Sequence, residues 1–578
     1  MQDVYGYEKK ASGRILLSYE YDRNGNRIAQ TDLTGKRSEY VYNSLDLLTE
    51  VRDNGKTLAR YDYETDGMIR TLTVGEDIIT SYAYDADKNI TAQKTVMGSD
   101  VIVDNRYGYD GNGNRMFRHT MSGHTTYRYD ERNRLVEAEY PKYRESLRYD
   151  MAGNRIERQT ETVKELYTYD SCNRLTERRK AENGKEDLRE TYAYDRQGNL
   201  LECTKEREGA KPETSRFTYD AFGRQSSARM YDGRVQVNRY DAEGLRHEME
   251  ENGQLVTFLY SGREVVAEES ETTGMLRYIR GYELISSDSE SARTYYHYVG
   301  DEDGSITHVV GNAEDESGAQ AGKYRIFNRY EYDAFGAYQI REESVHNRFG
   351  YNGEQYDPVT GQYYLRARYY NPVIGRFTQE DTYYGDGLNL YAYCHNNPVG
   401  YEDPSGHVCK RKYNNYKKLR ELGLSPKEAY AYMKKAKEVQ GRKEKGDLGE
   451  ELMNTIMKKQ GYEKLESKLK SNNGIDGVYV KRDPKTDKII ELIIGEAKFG
   501  DSKLGNPSVG PQMGDDWIID NINKMAESDN PKVKSAGEKL KDYLKDGGTY
   551  QAVIFRLRKT GHLGIKHRNK GNNNYTRW

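Results

Sequence analysis

In the C-terminal third, Ile489-Ile-Glu-Leu-Ile-Ile-Gly-Glu496-Ala-Lys498 reads as a buried strand ending in two charges. Side chains alternate along a strand, so Ile490, Leu492, Ile494, Glu496 and Lys498 share one face. A carboxylate and an ammonium therefore stand where an apolar face would otherwise continue. Asp476, in the preceding run Ile475-Asp476-Gly-Val478-Tyr-Val480, can reach the same place from a neighbouring strand ~5 Å away. The polar stretch Arg482 to Lys488 joins the two runs as a turn. Carboxylate oxygens such as those of Asp476 and Glu496 suit Mg²⁺ or Mn²⁺ as metal ligands. A lysine beside them, Lys498, can position or deprotonate a water and stabilise charge on a phosphate. Alone, Asp…Glu-x-Lys is a weak signal, because surface salt bridges produce it constantly.

The elements around these residues follow from apolar spacing. Leu448, Leu452, Met453, Ile456 and Met457 recur with helical period. At about 100° per residue they centre about 90° from Leu448, which puts Glu450 on the border of the buried face and Glu451 in solvent. Upstream, Ser425-Pro426-Lys-Glu428 has the N-cap, Pro and Glu of a helix start, predicting a helix to about Gln440 and a linker over 441–446. Downstream, Glu538–Lys545 reads as a helix that stops at Gly547-Gly548, and 549–558 as a buried strand. Arg556, Arg558, Lys559, Lys566 and Arg568 supply a positive surface suited to a phosphate backbone. His562 and His567 have no partner pattern and are assigned no chemistry.

The whole chain has 578 residues, only 35% hydrophobic, with mean hydropathy −1.03 and 54 Tyr against 10 Phe. Such aliphatic poverty approaches a disordered composition, which an aromatic-rich chain contradicts unless a pattern places the aromatics. Charge divides the chain at Gly406. Residues 1–406 hold 53 basic and 70 acidic residues, and 407–578 hold 37 and 23, so the net charge turns from −17 to +14. Forty-five of the tyrosines precede the break and both Trp follow it, so two modules share the chain. Cys172, Cys203, Cys394 and Cys409 lack metal-type spacing and predict neither a zinc site nor a disulfide framework. No apolar run reaches the ~18–20 residues of a membrane span. The opening residues show no export signal and read as mid-repeat, which predicts a longer polypeptide.

Tyr followed by Asp, Asn or Glu and then a Gly/Asn-rich turn recurs with Tyr at 21, 42, 63, 84, 109, 129, 149, 169, 194, 219 and 240, spaced by 20 to 25 residues. Tyr127-Arg-Tyr129-Asp130-Glu-Arg-Asn133-Arg-Leu135 and Tyr167-Thr-Tyr169-Asp170-Ser-Cys-Asn173-Arg-Leu175 are two copies. Tyr at i and i+2 share a strand face, Asp opens the turn through its side chain, and Asn or Gly takes positive φ. Each unit leaves a face exposed until its neighbour stacks on it, so the repeats predict a long β ribbon with a Tyr-lined face.

These copies resemble the YD repeats of the Rhs and WapA-like polymorphic toxins and the teneurin-like YD shell. The resemblance covers roughly 15–406 and is most specific over 345–406. There Asn347-Arg-Phe-Gly-Tyr351, Tyr363-Tyr-Leu-Arg366-Ala-Arg368-Tyr369-Tyr370-Asn-Pro372, Gly375-Arg376-Phe377, Asn396-Asn397-Pro398 and Asp403-Pro404-Ser405-Gly406 look like the family's core end. The resemblance implies a hollow β shell around a toxin, with self-cleavage just after the motif built by Pro398, Asp403, Pro404 and Gly406, and Asp381 as the second aspartate. Two carboxylates held close share a proton, so one serves as base and the other as acid. Thr382, where the family has Pro, and His407, where it has Leu, depart from the pattern.

The helix–strand–strand placement of Glu450, Asp476 and Glu496-x-Lys498 is similar to that of the PD-(D/E)xK nuclease superfamily, with Gly474-Ile475-Asp476 lacking the Pro. Gln512 matches the Gln that follows the second strand in several such nucleases. The resulting fold class is an all-β YD-repeat shell or ribbon followed by a small α/β restriction-endonuclease-like domain. It divides into repeats over 1–344, the core end over 345–406, a helical pre-toxin segment over 407–445 and a nuclease domain over 446–578. The expected activity is phosphodiester hydrolysis, on DNA ahead of tRNA, by a secreted or cell-surface toxin whose cargo acts in a target-cell cytoplasm and is neutralised by an immunity protein. The alternative is a surface adhesion or carbohydrate-binding repeat protein without catalysis.

Overall fold

The computed structural model describes residues 7–11, 14–23, 26–44, 47–64, 67–85, 89–290, 294–312, 324–384, 387–411, 424, 428, 431–432, 435–436, 439, 442–469, 475–484, 486–499, 512–557, 563–570 and 576–577. The chain divides into two compact units, Met1–Lys412 and Tyr413–Trp578. The division falls six residues after Gly406, because Lys410–Arg411 pairs with Tyr401–Glu402 of the first unit.

Among the described residues thirty-one strands, from Tyr7–Ala11 to Tyr338–Glu343, form one sheet in which each strand pairs antiparallel with the next. The repeat residues generate this meander in the way their types predict. Asp130 Oδ1 accepts from the backbone N–H groups of Arg132 and Arg134, both at 3.0 Å, while its Oδ2 takes Arg134 Nε at 2.7 Å. Asp170 does the same with Cys172, Arg174 and the Arg174 side chain. Asn133 and Asn173 close these turns at φ 59° and 62°, where Asn side chains are tolerated. The register slips by one residue at Tyr129, Tyr149 and Tyr169, a bulge at the entry to each turn.

The tyrosine hydroxyl then ties each repeat to the one before. Tyr129 donates to Arg115 O at 2.8 Å, Tyr149 to Leu135 O at 2.9 Å and Tyr169 to Arg155 O at 2.8 Å. Each acceptor is the first residue after the preceding turn, so the bond satisfies a carbonyl displaced by the bulge.

Strands distant in sequence also meet. Buried Arg277 bonds Asp53 at 2.8 and 2.9 Å, and Arg115 bonds Asp303 at 2.9 Å. The core end folds with the first unit as a four-stranded sheet from Gln355 to Phe377. Its centre is tyrosine: the Tyr370 and Tyr393 rings stack 3.8 Å apart, and Tyr363, Tyr364, Tyr369 and Tyr391 are fully buried. Arg246 and Asp357, both inaccessible to solvent, pair to fix this sheet to the repeats. Gln379 adds a bond to Gly223 O at 2.7 Å, and Tyr391 one to Gly198 O at 2.8 Å. Tyrosine thus supplies much of the core alongside aliphatic residues such as Leu245, Val256 and Ile306.

In the second unit a six-stranded sheet runs in the order Glu463–Leu465, Gly477–Arg482, Ile489–Phe499, Gln551–Leu557, Leu563–Asn569, Thr576–Arg577. Among the described residues only Ile489–Phe499 and Gln551–Leu557 are parallel. Helix Arg442–Lys459 covers one face through Leu448, Leu452, Met453, Ile456 and Met457, against Ile493, Phe499 and Val553. Helices Asp515–Ala526 and Pro531–Lys545 cover the other through Trp517, Ile518, Ile522 and Leu540, against Val478, Leu492 and Ile494.

Several sequence-based boundaries shift. The segment 442–446 begins the first helix rather than forming a linker, since Arg-Lys-Glu-Lys are good helix formers and the single Gly446 is tolerated on an exposed turn. The Asp515–Ala526 helix was not foreseen, although Asp515 and Asp516 mark its first turn. The helix predicted from Ser425 lies largely outside the described residues. All four cysteines are free thiols. Among the described residues no helix is long and apolar enough to cross a membrane.

Arg246→Met leaves the Asp357 carboxylate buried without its partner. We expect it to destabilise the first unit by about 3–5 kcal/mol, with most of the loss recovered in Arg246→Met/Asp357→Leu. Calorimetric unfolding of the full chain measures this, and a single-variant loss below about 1 kcal/mol would show that the pair is dispensable.

Candidate active site

Two clusters of charged side chains stand out. The first lies at the C-terminal end of strand Ile489–Phe499. Helix Arg442–Lys459 crosses this end at Gly449, where an added Cβ would sit 3.5 Å from Ala497 Cβ, and Glu450 is the next residue. Asp476 precedes strand Gly477–Arg482, and its Oδ2 accepts the Ala497 backbone N–H at 3.0 Å. Glu496 is 2% exposed, and its Oε1 receives Lys498 Nζ at 2.7 Å and Gln512 Nε2 at 2.5 Å. Gln512 Oε1 also lies 3.4 Å from Lys498 Nζ. Glu450, Asp476, Glu496, Lys498 and Gln512 are thus brought to one place from a helix, two strand ends and the start of the Gln512–Gly514 turn.

A sixth member was not anticipated. Lys468 Nζ stands 2.9 Å from Asp476 Oδ1 and 3.0 Å from Glu450 Oε1, joining two carboxylates. Its signal was a register one: Leu465 opposes Val478, so continuing the antiparallel pairing carries Lys468 opposite Ile475.

The electrostatics are those of a site short of positive charge. Burial, reinforced by the nearby Asp476 charge, pushes the Glu496 carboxyl up to about 7 despite Lys498. Glu496 Oε2 is buried and accepts no hydrogen bond. Burial acts to lower the Lys468 ammonium, but Asp476 and Glu450 outweigh it and raise it. An oxygen with no donor, beside a second carboxylate, fits the oxygen set of a hard divalent cation.

The basic residues divide. Arg556 lies opposite Lys498 in the parallel register, on the same edge of the site. Arg558 and Lys559 fall outside the described residues, as does the side chain of Lys566. Arg568 departs from its expected role: it is 3% exposed, bonds Asp515 at 2.6 Å and donates to Met513 O, bracing the turn after Gln512 instead of facing solvent.

The second cluster surrounds Asp381 and Asp403, 5% and 2% exposed. They do not form the bare carboxylate pair expected from sequence, because the Arg368 guanidinium contacts both, at 2.7 Å and 3.6 Å. Arg368 Nε also donates to Gly406 O. Asp403 Oδ1 accepts from the His407 N–H at 3.1 Å, and His407 Nδ1 lies 2.7 Å from Asp381 Oδ1. Gly406 has φ +70° and a Cβ there would meet Leu365 O at 2.4 Å, so only glycine lets the chain pass this close to Arg368. Arg368 stood inside the core-end string without an assigned role.

Residues 115–399 match the family model described as Teneurin YD-shell. The match supports a YD-shell family for the repeat module over those residues. A second family model, HamA, matches residues 374–546, which reach from the core end into the helices of the second unit. Among solved structures, the Photorhabdus luminescens Tc holotoxin pore is 19% identical with TM-score 0.51, covering 68% of this chain and 21% of that one. The TcdB2-TccC3-Cdc42 crystal structure is 20% identical with TM-score 0.50 and the same coverage. The chain thus spans about a fifth of those structures, and the likeness shows a shared fold. A comparison with curated proteins gives no match.

Glu496 titrates near 7 when folded and near 4.5 when unfolded, so its stabilising contribution is full below pH 4.5 and lost as pH rises through 7. In EDTA the second unit should lose about 3 kcal/mol across that window, and Glu496→Gln should abolish the slope. Thermal unfolding at pH 5 and pH 8 decides it; parallel slopes for both proteins would contradict the assignment.

Proposed function

We propose that the second unit is a metal-dependent nuclease and that the chain is the C-terminal part of a polymorphic toxin whose YD shell carries it. The observation behind this reading is the buried Glu496, with one oxygen lacking a donor, in a cluster of three carboxylates and two lysines drawn from separate segments.

Asp476 and Glu496 would hold Mg²⁺ or Mn²⁺, which when bound supplies positive charge to the phosphate and acidity to water. The chain's own residues do the rest. Gln512 and Lys498 hold Glu496 Oε1, fixing the carboxylate's orientation. Lys498, partly exposed at the strand end, donates toward an incoming phosphate or water. Arg556, beside it, extends the positive edge along a nucleic-acid backbone. Glu450 reaches the cluster only through Lys468 and acts as a positioning residue. DNA is the proposed substrate ahead of tRNA, and a cognate immunity protein is the proposed partner.

Expected outcomes separate these roles. Asp476→Asn and Glu496→Gln should lower both divalent-metal affinity and cleavage. Lys498→Ala should leave metal bound while cleavage of plasmid DNA or total tRNA falls by roughly 10²-fold. A wild-type chain that cuts neither with Mg²⁺ nor Mn²⁺, or an Asp476→Asn/Lys498→Ala variant as active as wild type, refutes the reading.

For the shell we propose self-cleavage between Gly406 and His407. Water adds to the Gly406 carbonyl carbon, the C–N bond breaks, and the His407 nitrogen gains a proton. In this step Arg368 polarises the carbonyl it contacts, Asp381 takes the water's proton, and Asp403, which accepts the His407 N–H, relays a proton to the leaving nitrogen. Mass spectrometry of the expressed chain should give a fragment beginning at His407, and Asp403→Asn should stay whole. An intact wild-type chain under native conditions overturns this step.

A further inference from the structure

Lys468 raises a question the proposed reaction does not answer. Its ammonium occupies a point between Glu450 and Asp476, on the one Asp476 oxygen not held by the Ala497 N–H. Asp476 Oδ2 is tied to backbone, so Oδ1 is the oxygen left to turn toward a cation, and Lys468 holds it. Counting Glu450, Asp476 and Glu496 against Lys468 and Lys498 leaves the cluster one negative charge in excess. Removing Lys468 would leave three carboxylates and one ammonium in a partly buried place.

Resting on the nuclease reading, we propose that Lys468 is a built-in competitor of the divalent cation. It holds Glu450 and Asp476 together in the metal-free protein and must release Asp476 Oδ1 when a metal binds. The cation therefore displaces a charge-assisted bond, and the site's metal affinity is set lower than its carboxylates alone would give. Lys468 is a positioning residue that tunes metal loading. The tether to Glu450 keeps its ammonium at the site after release, which gives that helix glutamate a role without direct ligation.

The test is calorimetric titration of the full-length, EDTA-stripped chain with Mg²⁺ and with Mn²⁺, taking the heat lost in Asp476→Asn as the signal of this site. Lys468→Met should bind roughly tenfold more tightly than wild type, the scale of one charge-assisted hydrogen bond no longer broken. Lys468→Arg should restore near-wild-type affinity. Lys468→Gln, which keeps a donor without the charge, should tighten binding as well and serves if Lys468→Met does not fold. In EDTA both neutral variants should melt earlier than wild type and gain more from added metal. Equal or weaker Asp476-dependent binding in the neutral variants overturns the role of Lys468 while leaving the metal site standing. Absence of any Asp476-dependent heat in wild type overturns the metal reading and this role together.

Discussion

The tyrosine–aspartate lock carries the first unit. An aspartate whose Oδ1 collects two backbone N–H groups makes a tight turn without help from a core, and the preceding tyrosine binds a carbonyl of the earlier repeat. The bulge of one repeat exposes the carbonyl that the next repeat's tyrosine binds, so turn, bulge and hydroxyl bond arise together. A chain poor in Leu and Val can build a 31-strand sheet this way because every repeat satisfies the polar groups its geometry disturbs. The ring buries apolar area and its hydroxyl ends on a partner, which neither Phe nor Leu can do.

Buried charge is held in more than one way in this chain. In the shell, Asp357 and Arg246 are fully enclosed and share bonds, as are Asp53 and Arg277. A buried pair of this kind adds little net stability over an apolar replacement, but breaking it is costly, so it fixes which surfaces meet. In the second unit Glu496 keeps a donorless oxygen, at the end of an otherwise apolar strand. A donorless buried carboxylate oxygen also occurs in the first unit, at Glu251, so what sets Glu496 apart is its setting beside Asp476 and Lys498.

Much of this was legible in sequence. Repeat spacing, turn residues and positive-φ Asn follow from local rules that one repeat states and the next confirms. The alternation through Ile490, Leu492 and Ile494 placed Glu496 and Lys498 on one face, and helical period placed Glu450 on the near border and Glu451 in solvent, as the side-chain exposures of 29% and 52% show. Lys468 and Arg368 were not legible, because Lys468 acts through a contact set by pairing register and Arg368 through carbonyls 22 and 38 residues away, which no local period encodes. Arg568 misled for the same reason: a basic residue in a basic tail looks solvated until the turn at Met513–Asp515 closes on it.

The segment around Gly406 shows how a scaffold turn can be given another use. Asp403 accepts N–H groups at i+2 and i+4 from Ser405 and His407, as Asp150 accepts that of Asn154 and Asp130 those of Arg132 and Arg134. Gly406 at i+3 has the positive φ that Gly153 and Asn133 have in the repeats. Asp403-Pro-Ser-Gly406-His407 is therefore a repeat turn in backbone terms. The difference lies at i+4. In the repeats that side chain, Asn154 or Arg134, returns to Oδ2 of its own aspartate and completes the turn. His407 instead turns to Asp381, and Oδ2 of Asp403 faces the guanidinium of Arg368, which also holds the Gly406 carbonyl. One side chain redirected at i+4 converts a self-contained turn into one whose carboxylate and carbonyl meet an arginine and whose following imidazole meets a second aspartate. The shell's own building unit thus supplies the backbone geometry, and Arg368, Asp381 and His407 add the side chains that gather around the bond after Gly406.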